Sequence, residues 1–310
     1  MKLRPNQKEQ NRGVYIHGHF TKTILEQLSY CLRTTNRSSP SGAIIQGPTG
    51  LGKTRTCKIL QEKINQEYID DGGLPPVYII DAPDSPTMKN YYSEILRAFK
   101  DHAPDKGSES DLRKRVYEQL ENKEVRMLIF DEFQQLVERR GEKVARAIMD
   151  AIKKLADKLY ISCIFVGTEA VGKLIEINEQ VASRFGKLIK INYMRFDNER
   201  NQLITRKFLK AYATKNGITG LNLSDYENCL RIYAATKGDL RILVDLLDYA
   251  SGYLTGHKKT GLSISKLKTA YNFMPVRMRM LGNKNPFSAE LGIIEDILKV
   301  RDYSQESKFK

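Results

Sequence analysis

Residues Gly47-Pro48-Thr49-Gly50-Leu51-Gly52-Lys53-Thr54 constrain this chain more than any other stretch. They fit the pattern G-x-x-x-x-G-K-[ST] at every position. Ala43-Ile44-Ile45-Gln46 precedes them as a short apolar run, the reading of a buried strand. Arg55-Thr56-Cys57-Lys58-Ile59-Leu60 follows as the start of a helix. A strand, a glycine-rich turn and a helix N-terminus make an anion nest, because backbone N–H groups turn inward and the helix dipole adds positive potential. The spacing therefore predicts a phosphate cradle formed by Gly47 to Arg55. Lys53 would reach the β- and γ-phosphates of ATP, and the Thr54 hydroxyl would ligate Mg2+.

The remaining periodicity says what surrounds the cradle. Apolar runs at 77–80, 127–130, 161–166 and 188–191 read as buried strands. Amphipathic patterns at 21–33, 88–100, 110–121, 143–158 and 169–176 read as helices. Alternation of this kind predicts an α/β fold with a parallel sheet sandwiched by helices. After about residue 195 strand signals stop, and 197–214, 224–235, 238–254 and 263–273 all read as helical. The expected organisation is a basic segment and helix at 1–40, an α/β core at 41–195, a small all-α lid at 196–255, and a basic tail at 256–310. The tail holds a turn around Asn285-Pro286-Phe287 and a last amphipathic piece at 291–298. That tail reads equally as a partner-docking segment or as packing for its own domain.

Charge is distributed unevenly. The net charge is +14, yet residues 41–252 carry 33 basic against 30 acidic groups. The excess sits in 1–40 (7 basic, 2 acidic) and 253–310 (11 basic, 5 acidic). A surplus of this size points to a polyanionic partner. Cys31, Cys57, Cys163 and Cys229 form no C-x-x-C pair, which argues for reduced thiols in a cytoplasmic protein. Neither a signal-peptide pattern nor a membrane span is readable, so no membrane partner is expected.

Further motifs supply the rest of a phosphoryl-transfer site. Met127-Leu128-Ile129-Phe130-Asp131-Glu132 is an apolar strand ending in two carboxylates, about 80 residues after the glycine-rich loop. Asp131 would hold Mg2+, and Glu132 would polarise the attacking water as general base. The next strand ends in Val166-Gly167-Thr168-Glu169. Thr168 is placed to touch the γ-phosphate, and a helix N-cap is compatible with that role. Arg184, in Val181-Ala182-Ser183-Arg184-Phe185, suits an arginine finger aimed at a neighbouring subunit's nucleotide. Arg241, in Thr236-Lys237-Gly238-Asp239-Leu240-Arg241, opens a lid helix and is a candidate nucleotide sensor.

These five elements together are the AAA+ pattern. Three stretches, Met127 to Leu136 (MLIFDEFQQL), Val166 to Ala170 (VGTEA) and Gln180 to Phe185 (QVASRF), resemble the TniB/TnsC transposition regulators, relatives of MuB. The resemblance covers roughly residues 12–255. It implies a bacterial, DNA-associated ATPase that assembles on duplex DNA as a ring or helical filament of six or more subunits. It also implies partners: a transposase, and a target-selection protein of the TniQ/TnsD type or an RNA-guided complex. In such a ring the segment between the second strand and Asp131 would line the pore. Its cations are Lys100, Lys106, Arg113, Lys114 and Arg115. Periodicity leaves Arg113, Lys114 and Tyr117 on the exposed face, and Lys106 lies in a polar loop. Lys106, Arg113 and Lys114 are the candidate contacts to the DNA backbone, without sequence readout.

Two other readings share the ATPase core. A replication initiator or helicase loader would carry a recognition-helix domain, and the roughly 55 residues after the third lid helix show no such pattern. A signalling or scaffold ATPase would use the basic tails for a protein partner rather than DNA.

Overall fold

The computed structural model describes residues 19–35, 41–177, 179–252, 261–274, 281 and 284–300. The chain divides into two compact units, and from Phe20 to Asn192 it forms the first. Its centre is a five-stranded parallel sheet of β1 (Ala43–Gln46), β2 (Val77–Asp81), β3 (Met127–Asp131), β4 (Ser162–Gly167) and β5 (Lys187–Lys190). The order across the sheet is β2-β3-β4-β1-β5. β1, β3 and β4 are buried along their whole length, as helices on both faces demand, whereas β5 is an edge strand and largely exposed. The register sets Gln46 opposite Gly167 and Phe130 opposite Phe165. All five strands therefore end on one side of the sheet, and the functional loops leave from there.

Among the described residues seven helices accompany the sheet: α1 (His19–Arg33), α2 (Lys53–Asp70), α3 (Met88–Ala98), α4 (Glu109–Asn122), α5 (Gln134–Leu159), α6 (Glu169–Ile177) and α7 (Glu179–Phe185). α1 is part of this unit: Ile24 and Leu28 are fully buried, and its Cys31 carbonyl accepts a 2.8 Å hydrogen bond from Ser162 Oγ of β4. α4 begins in a capping box formed by Ser108 and Asp111. α5 starts nine residues earlier than its apolar pattern announces. Gly141, at φ 73°, interrupts the helix there and masks the periodicity of its first turns. α7 has seven residues, too few for a helical period to be read. The core is aromatic where the strands end. Phe165 stacks on Phe130 at 5.5 Å and meets Phe133 at 4.6 Å and Phe185 at 5.0 Å. β3, the turn after it, β4 and α7 are thereby packed as one block, an arrangement that offset and edge-on ring contacts favour.

The second unit runs from Tyr193 and is helical: α8 (Glu199–Asn216), α9 (Tyr226–Thr236), α10 (Leu240–Ala250), α11 (Ile264–Phe273) and α12 (Leu291–Leu298). Its core joins Leu209, Leu230, Leu243, Leu246 and Leu267. Residues 284–300 belong to this core. Phe287 and Ile294 are buried, Arg231 Nη1 donates to the carbonyls of Pro286 and Ala289, and Tyr226 Oη donates to Glu295 at 3.0 Å. The basic residues of 1–18, 253–260, 275–280 and 301–310 lie outside the described residues. No helix among the described residues is long and apolar enough to cross a membrane.

Candidate nucleotide site

The glycine-rich loop needs its glycines for two different reasons. At Gly47 a Cβ would lie 2.3 Å from the Ile191 carbonyl oxygen, so close backbone approach excludes a side chain. At Gly50 and Gly52 the backbone is left-handed, with φ 83° and 78°, and at Gly52 conformation rather than space is the constraint. The loop ends where Lys53 opens α2. Lys53 is buried, and its Nζ donates to the carbonyls of Gly47 and Pro48, each at 2.8 Å. The ammonium is thus folded against the loop it would serve, while Thr49 and Gly52 remain exposed.

Asp131, the last residue of β3, is buried and hydrogen-bonded to Thr54. Burial holds its carboxyl above the ordinary carboxylate range, and the charges of Glu132 and Asp81 add to the rise. The Thr54 hydroxyl and the Glu132 N–H pull the other way. A buried carboxylate and a hydroxyl in contact, short of positive charge, fit a hard divalent cation such as Mg2+. Among the described residues no three His, Cys, Asp or Glu cluster as a metal cage. Mg2+ shared with phosphate oxygens needs none, since it takes one or two protein ligands and fills the rest with water and phosphate.

Glu132 follows in the left-handed region, φ 51°, and is exposed. A non-glycine residue held there costs on the order of 1 kcal/mol, and such strain collects at functional sites. The turn is fixed by the Phe133 N–H, which donates to the Val166 carbonyl at 2.9 Å. Thr168 directly follows Gly167, the register partner of Gln46, so it emerges beside the start of the loop. Gly47 to Arg55, Asp131, Glu132 and Thr168 are therefore brought to one edge of the sheet. Gln134, which sequence reasoning did not single out, joins them: it bonds both the Glu132 carboxylate and the Thr168 N–H. The only sign of it in the sequence is the glutamine pair after Asp131-Glu132-Phe133.

Arg184 is elsewhere. Its guanidinium pairs with Asp157 of α5, and its carbonyl accepts the Gly42 N–H at 3.2 Å, at the amino end of β1. The loop leaves the carboxyl end of that same strand. Four strand residues separate the two, roughly 13 Å. Arg241 belongs to the helical unit, exposed in the first turn of α10, whose N-cap Asp239 accepts its backbone N–H. Lys106, Arg113 and Lys114 are exposed on and before α4. Arg115, which charge alone groups with them, is turned inward. It pairs with Asp101 and donates to the carbonyls of Ala103 and Lys106, both at 3.0 Å, so it fixes the loop rather than offering a phosphate contact. Tyr117 is half-buried, with the Lys158 ammonium 4.8 Å above its ring.

A parallel sheet of this order, with this loop after β1 and paired acids after β3, has the fold of the AAA+ P-loop ATPases. Solved structures agree on the fold. ORC2 of Aeropyrum pernix in its ADP form aligns with a TM-score of 0.63 and 15% identity, over 84% of this chain and 70% of that one. ORC1 of Aeropyrum pernix in complex with DNA gives 0.61 and 19%, over 84% and 67%. Cdc6p of Pyrobaculum aerophilum gives 0.59 and 17%, over 96% and 86%. The family described as Bacterial TniB protein matches residues 7–193, and the chain belongs to that family. No curated protein matches it.

Proposed function

We propose that this chain is an ATP-dependent DNA-binding regulator of transposition. It binds MgATP in the loop Gly47 to Arg55, assembles with copies of itself on duplex DNA as a ring or filament, and brings a transposase to a target marked by a target-selection protein. Hydrolysis then dissolves the assembly. Membership in the TniB family supports the setting. The observation that carries assembly is the place of Arg184. It stands at the opposite end of β1 from its own loop, so a finger role requires a second subunit's nucleotide. That role also requires the guanidinium to leave Asp157, which links assembly to a change of ion-pair partner.

The residues divide the work. The loop N–H groups and Lys53 bind the phosphates, and Thr54 with Asp131 would hold Mg2+, which neutralises charge on the transferring group. Glu132 accepts a proton from the attacking water, and Thr168 holds the γ-phosphate or that water. Arg241 reports nucleotide state from the lid. Lys106, Arg113 and Lys114 meet DNA phosphates, so binding weakens with salt and ignores sequence.

The test is assembly of the full chain on plasmid DNA, followed by electron microscopy and sedimentation. ATP or a non-hydrolysable analogue should drive assembly, and Lys53→Ala should abolish it. Arg184→Ala should keep nucleotide binding but lose the hydrolysis that rises with protein concentration. A wild-type chain that ignores ATP when offered DNA overturns the proposal, and capture of a replicative helicase instead of a transposase redirects it to replication.

A further inference from the structure

One side chain joins the turn after β3 to the end of β4. Gln134, the first residue of α5, is only 5% exposed. Its Nε2 donates to Glu132 Oε2 at 2.6 Å, and its Oε1 accepts the Thr168 backbone N–H at 3.2 Å. The amide cannot be turned over. A carboxylate only accepts and a backbone N–H only donates, so both partners dictate the same orientation. Gly167 makes room for this bridge. A Cβ there would stand 2.2 Å from Gln134 Oε1 and 3.2 Å from the Gln134 backbone nitrogen. Burial of the amide strengthens the bond from the Thr168 N–H, and the one to the exposed Glu132 carboxylate is charge-assisted.

We propose that Gln134 is a positioning residue that ties the Glu132 carboxylate to the end of β4, so that the base is aligned only when Thr168 has taken up its place at the γ-phosphate. This rests on reading Glu132 as the general base. The path is short: the Thr168 peptide, one amide, one carboxylate. The residue whose hydroxyl reads the phosphate also offers the N–H that holds the amide. Glu132 itself is exposed and sits on a strained backbone, so the Gln134 bond sets where its carboxylate lies. A base displaced by an ångström loses on the order of a hundred-fold in rate.

Gln134→Glu keeps the shape and the acceptor but removes the Nε2 donor. Gln134→Met, neutral and of like volume, removes both bonds without adding charge. Gly167→Ala pushes on the same amide from the end of β4, and on Val171 Cγ2 at 2.5 Å. In single-turnover hydrolysis by the full chain on plasmid DNA, each should lower kcat about ten- to a hundred-fold while the ATP Kd stays within about two-fold. Thermal melting checks that each variant is folded. Placed on a Glu132→Gln background, Gln134→Met should add no further loss, because both act through one carboxylate. Wild-type kcat in folded Gln134→Met, an equal loss in ATP affinity, or additive losses with Glu132→Gln would overturn the coupling. Hydrolysis at the wild-type rate by Glu132→Gln alone would instead remove the base reading, which keeps the two failures apart.

Discussion

At the amino end of the sheet the chain closes on itself. Ser162 Oγ lies 2.8 Å from the Cys31 carbonyl and 2.7 Å from that of Ser41. The N–H groups of Arg126 and Met127 both donate to the Pro76 carbonyl, and Arg126 Nη1 donates to Tyr68 Oη at 3.0 Å. A Cβ on Gly42 would meet Phe185 at 2.3 Å, so that end is packed without slack. At the carboxyl end, one strand-length away, the same backbone runs into the opposite condition. Glu132, Gly50 and Gly52 are left-handed, Asp131 is buried with its carboxyl pushed up, and Gln46 Oε1 is buried with no hydrogen-bond partner among the described residues. Strands buried on both faces leave only their ends free. The amino end carries stability. Left-handed residues stand at both ends, Glu124 and Tyr160 before β3 and β4 among them, but the carboxyl pushed up by burial, which a ligand can relieve, lies at the carboxyl end beside the glycine-rich loop.

The sharpest way to break this division is at Glu132. It is exposed, and Glu132→Gln keeps an oxygen to accept from Gln134 Nε2, so the melting temperature should stay unchanged. Hydrolysis should fall by about 10² or more, the range of a lost general base. ATP-driven assemblies on DNA should then persist, because nothing ends them. A variant that melts early, or whose assemblies turn over normally, would show that the carboxyl end carries stability after all.

The mirror-image change lies at the other end. Ser162→Ala removes the hydroxyl that joins β4 to α1 and to the chain before β1. Losing a buried hydrogen bond and leaving carbonyls unmet should lower stability by about 1–2 kcal/mol in urea unfolding. ATP turnover per folded molecule should not change. A turnover defect without a stability defect would erase the distinction between the ends.

The sequence makes the two ends unequally legible. Gly47 to Thr54 and the Asp131-Glu132 pair are contiguous, and covalent spacing alone places them at strand ends; the structure sets them together. The contacts that join separate elements are distant in the chain. Gln134 finds the Thr168 N–H 34 residues on, and Arg184 finds Asp157 27 residues back. No local pattern carries such pairs. Helical period exposes a charge on average, but it cannot say that Arg115 folds back onto Asp101, because that depends on where the loop at 101–108 lies. The early start of α5 was hidden by Gly141 for a related reason: one left-handed residue resets the period while the helix continues beyond it.

Asp131 gives the smallest effect and the one whose sign separates the ends most directly. Burial, with help from Glu132 and Asp81, raises its carboxyl in the folded chain above the value it has unfolded. Between those two values the folded state binds more protons than the unfolded state, so stability falls as pH rises through that window. At neutral pH the ionised group is therefore a standing cost to the fold. Asp131→Asn removes the charge and keeps the shape. It should raise the melting temperature at pH 7, and the gain over wild type should shrink as the pH drops below the folded-state value, where wild-type Asp131 is itself protonated. Mg2+-dependent ATP binding should be lost in the same variant, since a neutral amide is a poor partner for the cation. Melting curves from pH 4 to 8 with and without MgATP measure both effects. A destabilised Asp131→Asn at pH 7 would mean that the hydrogen bonds from Thr54 and the Glu132 N–H outweigh burial, and that the carboxyl end is held together by the very group that was expected to strain it.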